Sequence, residues 1–146
     1  MAPRRMLSMR EQVFVMSLRR HGYRLTTKRH SLKRLHRYVI PATPEEDARG
    51  VDFWVKPPGA AALIPVQVTQ VGIFLFRKHH LPSPHQLADF AESARKRIAQ
   101  KKDNCMRASI AFVLVPDFDY EKANPRLAKK DVRALNRGIT PYLCTG

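Results

Sequence analysis

Three polar residues stand in apolar surroundings, and their spacing is that of strands. Asp52 lies between Val51 and Phe53, while Gln67 and Thr69 alternate with Val66 and Val68. An acid inside an apolar strand is costly unless it is exposed, paired or liganded. The chemistry open to this set is therefore that of a carboxylate facing an amide and a hydroxyl. A second set suits phosphate contacts. It comprises Lys28, Arg29, Lys33, Arg34 and Arg37 within TTKRHSLKRLHRY, the Arg19-Arg20 pair, and Arg95-Lys96-Arg97. Runs of Lys and Arg hold the phosphates of a polyanion by charge, whatever its sequence.

The elements around Asp52 decide whether the first set can assemble. Val51, Phe53 and Val55 alternate with Asp52, Trp54 and Lys56, which predicts a strand over 51–56. Pro57-Pro58-Gly59-Ala60 reads as a turn, and a second strand runs from about Leu63 to Val71, with Phe76 as its outer limit. A hairpin turning between Gly59 and Ala60 sets position 52 opposite position 67. Asp52, Gln67 and Thr69 then share one sheet face, where opposed Cβ atoms are roughly 4.5–5.5 Å apart. A slip of one residue would scatter them.

The flanking elements are also legible. Ser8-Met9-Arg10-Glu11 has capping-box spacing, with Leu7 as the staple, and predicts a helix from about Met9 to His21 ended by Gly22. Glu11 has a complete explanation as a cap. Tyr23–Leu25 begins a short strand; 26–38 reads as a basic helical turn or a surface loop; 41–50 reads as a connector. Ser83, Pro84 and Gln86 open a helix carrying Leu87, Phe90, Ala91, Ala94 and Ile98 at helical spacing. Residues 108–115 (ASIAFVLV) read as a strand buried on both faces. Asn124-Pro125 starts a last helix that Gly138 ends, and 140–144 is a short final strand. The expectation is one α/β domain over 1–146, with a mixed sheet, a central hairpin and flanking helices.

Composition narrows the class. The chain has 146 residues, 44% of them hydrophobic, enough for a core without staples. Lys plus Arg outnumber Asp plus Glu by 27 to 12, a formal charge of +15 that suits nucleic acid first and an anionic membrane surface second. Two cysteines, Cys105 and Cys144, exclude a disulfide scaffold and a four-cysteine zinc site, and they fit a reducing, cytoplasmic setting. His79, His80 and His85 lack a fourth ligand at finger-like spacing. No apolar run approaches the roughly 18 residues of a membrane span. The Arg-rich start has no apolar core of the secretory kind; an organelle presequence is the minor alternative, since the helix that follows reads as structural.

The order helix, hairpin, helix, strand, with Glu11 in REQVFVMSLRRHGYRL, Asp52 in GVDFWV and Gln67-Val68-Thr69 in IPVQVTQ, resembles the PD-(D/E)xK nuclease superfamily, the restriction-endonuclease-like fold. The match covers roughly Ser8 to Val115. In that pattern an Asp and a Glu hold a divalent cation and a Lys assists the attacking water. The resemblance implies Mg²⁺ on Asp52 and Gln67, with a backbone oxygen near Val68. It departs from the pattern at Gln67, which brings no charge, and at Thr69, where the Lys is missing. Lys56, Lys78 and Arg95 are the candidate replacements for that cation, and Gln86 with Phe90 is similar to a Gln-x-x-x-Tyr step of some subfamilies. The expected function is nucleic-acid binding, DNA favoured over RNA, with Mg²⁺-dependent phosphodiester cleavage, in a bacterial or mobile-element setting. The second reading is a binding protein, or a partner in a ribonucleoprotein, on the same scaffold without catalysis.

Overall fold

A computed structural model describes residues 7–59, 62–70, 83–115 and 129–137. In chain order the elements are α1 (Met9–Arg19), β1 (Tyr23–Leu25), β2 (Arg37–Pro41), α2 (Pro44–Ala48), β3 (Phe53–Lys56), β4 (Ile64–Gln70), α3 (Pro84–Arg107), β5 (Ala111–Val115) and α4 (Lys129–Asn136). The five strands form one mixed sheet in the order β1-β2-β3-β4-β5. The outer pairs β1–β2 and β4–β5 are parallel, and β2, β3 and β4 run antiparallel to one another. The long helix α3 makes the crossover between the parallel strands β4 and β5, as a parallel pair requires.

Helices cover both faces, so the architecture is α/β. On one face Phe14 and Leu18 of α1 and Leu135 of α4 meet Val39, Phe53, Val55, Val66, Val68 and Val113, all fully or almost fully buried. The Phe14 and Phe53 rings lie 5.0 Å apart, centroid to centroid, in a tilted arrangement. On the other face Cys105 and Ile98 of α3 pack with Phe112, Trp54, Ile110, Ala42 and Val51. Among the described side chains of α3, Ala94 and Cys105 are buried, while Arg95, Lys96, Arg97, Lys101 and Arg107 are exposed.

The capping signals hold. Ser8 and Glu11 form a reciprocal box at α1, as do Ser83 and Gln86 at α3, each closing two otherwise free N–H groups. Leu7 packs on the core as the staple position requires. Gly22 takes φ +86°, and α1 itself stops at Arg19, two residues before the expected His21. Gly59 takes φ +76° in the hairpin turn.

Other expectations change. Arg37–Pro41 is a strand, where a basic turn or loop followed by a connector was expected. Tyr38, Val39 and Ile40 are buried there, paired to β3. The connector contains the short helix α2, capped by Thr43 and Glu46. The hairpin strands are shorter than expected, beginning at Phe53 and at Ile64. In the strand at 108–115, expected to be buried on both faces, the regular part is 111–115 and Leu114 is exposed. The expected continuation to Phe76, the start of the last helix at Asn124-Pro125, Gly138 and the strand at 140–144 lie outside the described residues, as do Cys144, Lys78, His79 and His80.

Candidate carboxylate site at the end of strand β3

The hairpin register is the one the turn dictates. Phe53 pairs with Val66, Trp54 with Pro65 and Val55 with Ile64. Continued by one residue, that register brings Asp52 to Gln67. Gln67 pairs on its other side with Phe112, so it shares the α3-covered face with that ring, and Thr69 follows two residues on.

Strand β3 ends before β4 does, which leaves the backbone of Val68 without a ladder partner on that side. Side chains take its place. The Val68 N–H donates to Asp52 Oδ2 at 2.7 Å. Its carbonyl accepts from Arg10 Nε at 3.2 Å and from Gln67 Nε2 at 3.2 Å. The Asp52 carboxylate and the Gln67 amide thus meet at one residue. Gln67 Oε1 lies on the side of Gly50, 3.9 Å from where a Cβ there would sit.

Asp52 is buried, 3% exposed. Burial pushes its carboxyl up to about 7; the Val68 N–H opposes this, and Asp47 and Glu11 add to it by hydrogen bonding and like charge. Glu11 is itself buried, with Oε1 accepting from the Ser8 N–H at 3.1 Å. Glu11 therefore caps α1 and also turns its charge toward Asp52. Cys105 lies near enough for the Asp52 charge to add to the effect of burial in raising its thiol. Thr69 Oγ1 is buried and makes no hydrogen bond. Among the described residues, no three His, Cys, Asp or Glu side chains are arranged to hold a metal ion. The oxygens of Asp52 and Gln67 remain the pair that could do so, with Asp47 beside them. The backbone oxygen at Val68 already accepts two hydrogen bonds.

Lys56 stands at the other end of β3. Its ammonium donates to the carbonyls of Arg34, His36 and Pro57 at 2.7, 3.0 and 3.3 Å and lies 5.9 Å over the Tyr38 ring. Arg34 O also accepts from the Gly59 N–H at 2.9 Å. Lys56 thereby fixes the basic loop 26–36 to the hairpin instead of reaching Asp52.

The basic residues are divided among three places. Lys28, Lys33 and Arg34 are exposed on the loop 26–36, beside a cavity of about 510 Å³ lined by Arg29, His30, Ser31, Leu32, Arg34, Lys56 and Leu63. Arg29 grips Glu46 through two bonds, of 2.8 and 2.5 Å, which holds the Glu46 carboxyl down at about 2. Arg37 Nη1 donates to His21 O at 2.6 Å, closing the end of α1. Arg19 and Arg20 are exposed at that same end. Arg95, Lys96 and Arg97 are exposed on α3, on the opposite face of the sheet, where Arg95 pairs with Glu92 at 3.2 Å. Tyr23 and Tyr38 are buried in packing, and Trp54 is partly buried.

Arg10 and Asp47 belong to the site and were not singled out in the sequence. Arg10 looked like a polar-face helix residue, and Asp47 one acid of a connector. Only the tertiary pairing brings Arg10 to Val68 and Asp47 to Asp52. No family model, curated protein or solved structure matches the chain. No helix among the described residues is long and apolar enough to cross a membrane.

Proposed function

We propose that the chain is a nucleic-acid-binding protein of nuclease-like fold that hydrolyses phosphodiesters, DNA before RNA, with Mg²⁺ held at Asp52 and Gln67. One arrangement carries this reading: the buried Asp52 carboxyl, held by the Val68 N–H, has Asp47 hydrogen-bonded to it and the Glu11 charge adding to the upward push of burial. Like charges gathered around a buried carboxyl are relieved by a cation, and hard cations favour carboxylate oxygens. The element order also supports it. A helix bearing Glu11, a hairpin bearing Asp52 and Gln67, then the α3 crossover and β5, follow the pattern that the PD-(D/E)xK resemblance implies.

The residues have distinct parts in this proposal. Asp52 supplies the charged ligand and Gln67 a neutral one. Asp47 and Glu11 keep the negative potential high. Arg10, anchored on Val68 O, brings the positive charge that Thr69 does not. Mg²⁺ there would lower the pKa of the attacking water and neutralise charge on the phosphate. The basic loop 26–36, Arg19, Arg20 and Arg95–Arg97 contact the strand backbone.

A second reading, a binding protein without catalysis, is favoured by Lys56 and Thr69. The one lysine on the hairpin is committed to three carbonyls, and the position of the motif's lysine holds a hydroxyl. Plasmid nicking in Mg²⁺, with Mn²⁺ in parallel, separates the two. The proposal expects metal-dependent nicking by the parent and none by Asp52→Asn, with DNA binding by both that weakens steeply in salt. Binding without cutting in either metal leaves the second reading. Cutting by Asp52→Asn at the parental rate refutes the site.

A further inference from the structure

At the far end of α1 from Glu11, the helix and α4 border a second cleft. Its volume is about 500 Å³, and it is lined by Ser17, Arg20, His21, Lys129, Val132, Arg133 and Asn136. No acid lines it. The one acid of α4, Asp131, is buried and absent from the lining. Three permanent cations, Arg20, Lys129 and Arg133, come from two different helices, and His21 adds a fourth basic group.

The neutral members complete a donor set. The Tyr23 hydroxyl donates to Asn136 Oδ1 at 2.8 Å. With its oxygen engaged, the Asn136 amide has its Nδ2 hydrogens left to present to the cleft. Ser17, which is buried, also lines the wall. Tyr23 is buried too, and burial pushes its phenol up to about 12, so the bond that orients the amide persists across the neutral range. The C-terminal end of α1 would oppose an anion through the negative end of its helix dipole. That opposition is reduced because Arg37 Nη1 caps His21 O at 2.6 Å and adds its charge.

We infer that this cleft between α1 and α4 binds a phosphate monoester, the charge-dense terminal phosphate of a nucleic-acid strand. A cleft that gathers three cations from two helices suits the more highly charged monoester better than the single-charged diester of a strand interior. The choice of a strand end as the source rests on the nucleic-acid reading above. The anion site itself does not, since a free phosphorylated compound offers the same group.

The test is calorimetric titration of the full chain with inorganic phosphate, with a 5′-mononucleotide and its nucleoside, and with oligonucleotides that carry or lack a terminal phosphate. The inference expects the mononucleotide to bind and the nucleoside not to. It expects the phosphorylated strand to bind at least about tenfold tighter than the unphosphorylated one, a single good charge-assisted contact being worth that much. Arg133→Glu, an exposed change, should abolish this difference while leaving affinity for the unphosphorylated strand within about twofold. Tyr23→Phe should weaken phosphate binding less, by freeing the amide it orients. Binding of phosphate and mononucleotide without discrimination between the strands keeps the anion site and assigns it to a free compound. Absence of phosphate binding, or binding unchanged in Arg133→Glu, overturns the inference. A parent that fails to nick plasmid yet discriminates strand ends would fail the cleavage reading alone.

Discussion

Strand β3 is bounded by two buried charges of opposite sign, Asp52 just before it and Lys56 at its last position, and the protein treats them in opposite ways. Lys56 has each of its three donors on a carbonyl and an aromatic face nearby. Asp52 accepts from the Val68 N–H and has two other carboxylates acting on it, one of them, Asp47, hydrogen-bonded to it. The first is a satisfied charge that ties a loop to the sheet. The second is held where its charge is disfavoured. Burial alone therefore does not mark a site; burial against like charge does.

The difference can be broken from either end. The largest effect is expected at Lys56. Lys56→Met keeps the chain length of the stem but takes the ammonium donor from three carbonyls, of which Arg34 O keeps the Gly59 N–H, and unfolding in urea should show a loss of about 2 kcal/mol. Asp52→Asn retains an acceptor for the Val68 N–H and removes like-charge repulsion. At pH 8 it should be as stable as the parent or more so. An equal loss in both variants would erase the comparison.

The pH dependence sharpens it next. The Asp52 carboxyl has its ordinary value near 3.8 when unfolded and about 7 when folded. Between those values the folded state holds the proton and the unfolded state does not. The contribution of this group to stability is therefore fully present below pH 3.8 and is lost as pH rises through 7. Thermal melts should show that fall between about pH 4 and 8 in the parent and not in Asp52→Asn. Glu46 runs the other way. Its carboxyl, held at about 2 by Arg29, contributes above the ordinary 4.5, and that contribution is lost as pH falls toward 2. The same melts should show this loss in the parent and not in Glu46→Gln. The smallest effect is at Thr69. Thr69→Val replaces a buried hydroxyl that has no partner by a methyl group, and urea unfolding should show a gain of about 1 kcal/mol. A loss there would mean that the hydroxyl is engaged.

Asp52 and Lys56 also show how far the sequence could be read. Alternation and the Pro-Pro-Gly-Ala turn fixed the hairpin register, so the approach of Asp52 to Gln67 was legible. Both charged residues have the same parity on one strand, and nothing in the sequence distinguished them. The partners of Lys56 are backbone carbonyls of residues 34, 36 and 57, which have no signature in side-chain type. Asp47 was hidden among the acids of PEEDA, whose caps and first turn account for them locally. Strand β2 was hidden for a related reason. Arg37 and Pro41 bracket only Tyr38, Val39 and Ile40, and the pairing with β3 supplies what that short run lacks. Local signals of helix caps and turns carried through; contacts distant along the chain did not.

The central claim is that Asp52 sits in a carboxylate site strained enough to take a divalent cation. An NMR titration of the Asp52 carboxyl carbon, with and without Mg²⁺, tests it most directly. The midpoint should lie near 7 without metal and fall by at least one pH unit, a factor of about ten, when Mg²⁺ is present. A midpoint near 4 in both conditions, or one near 7 that Mg²⁺ does not move, would contradict it.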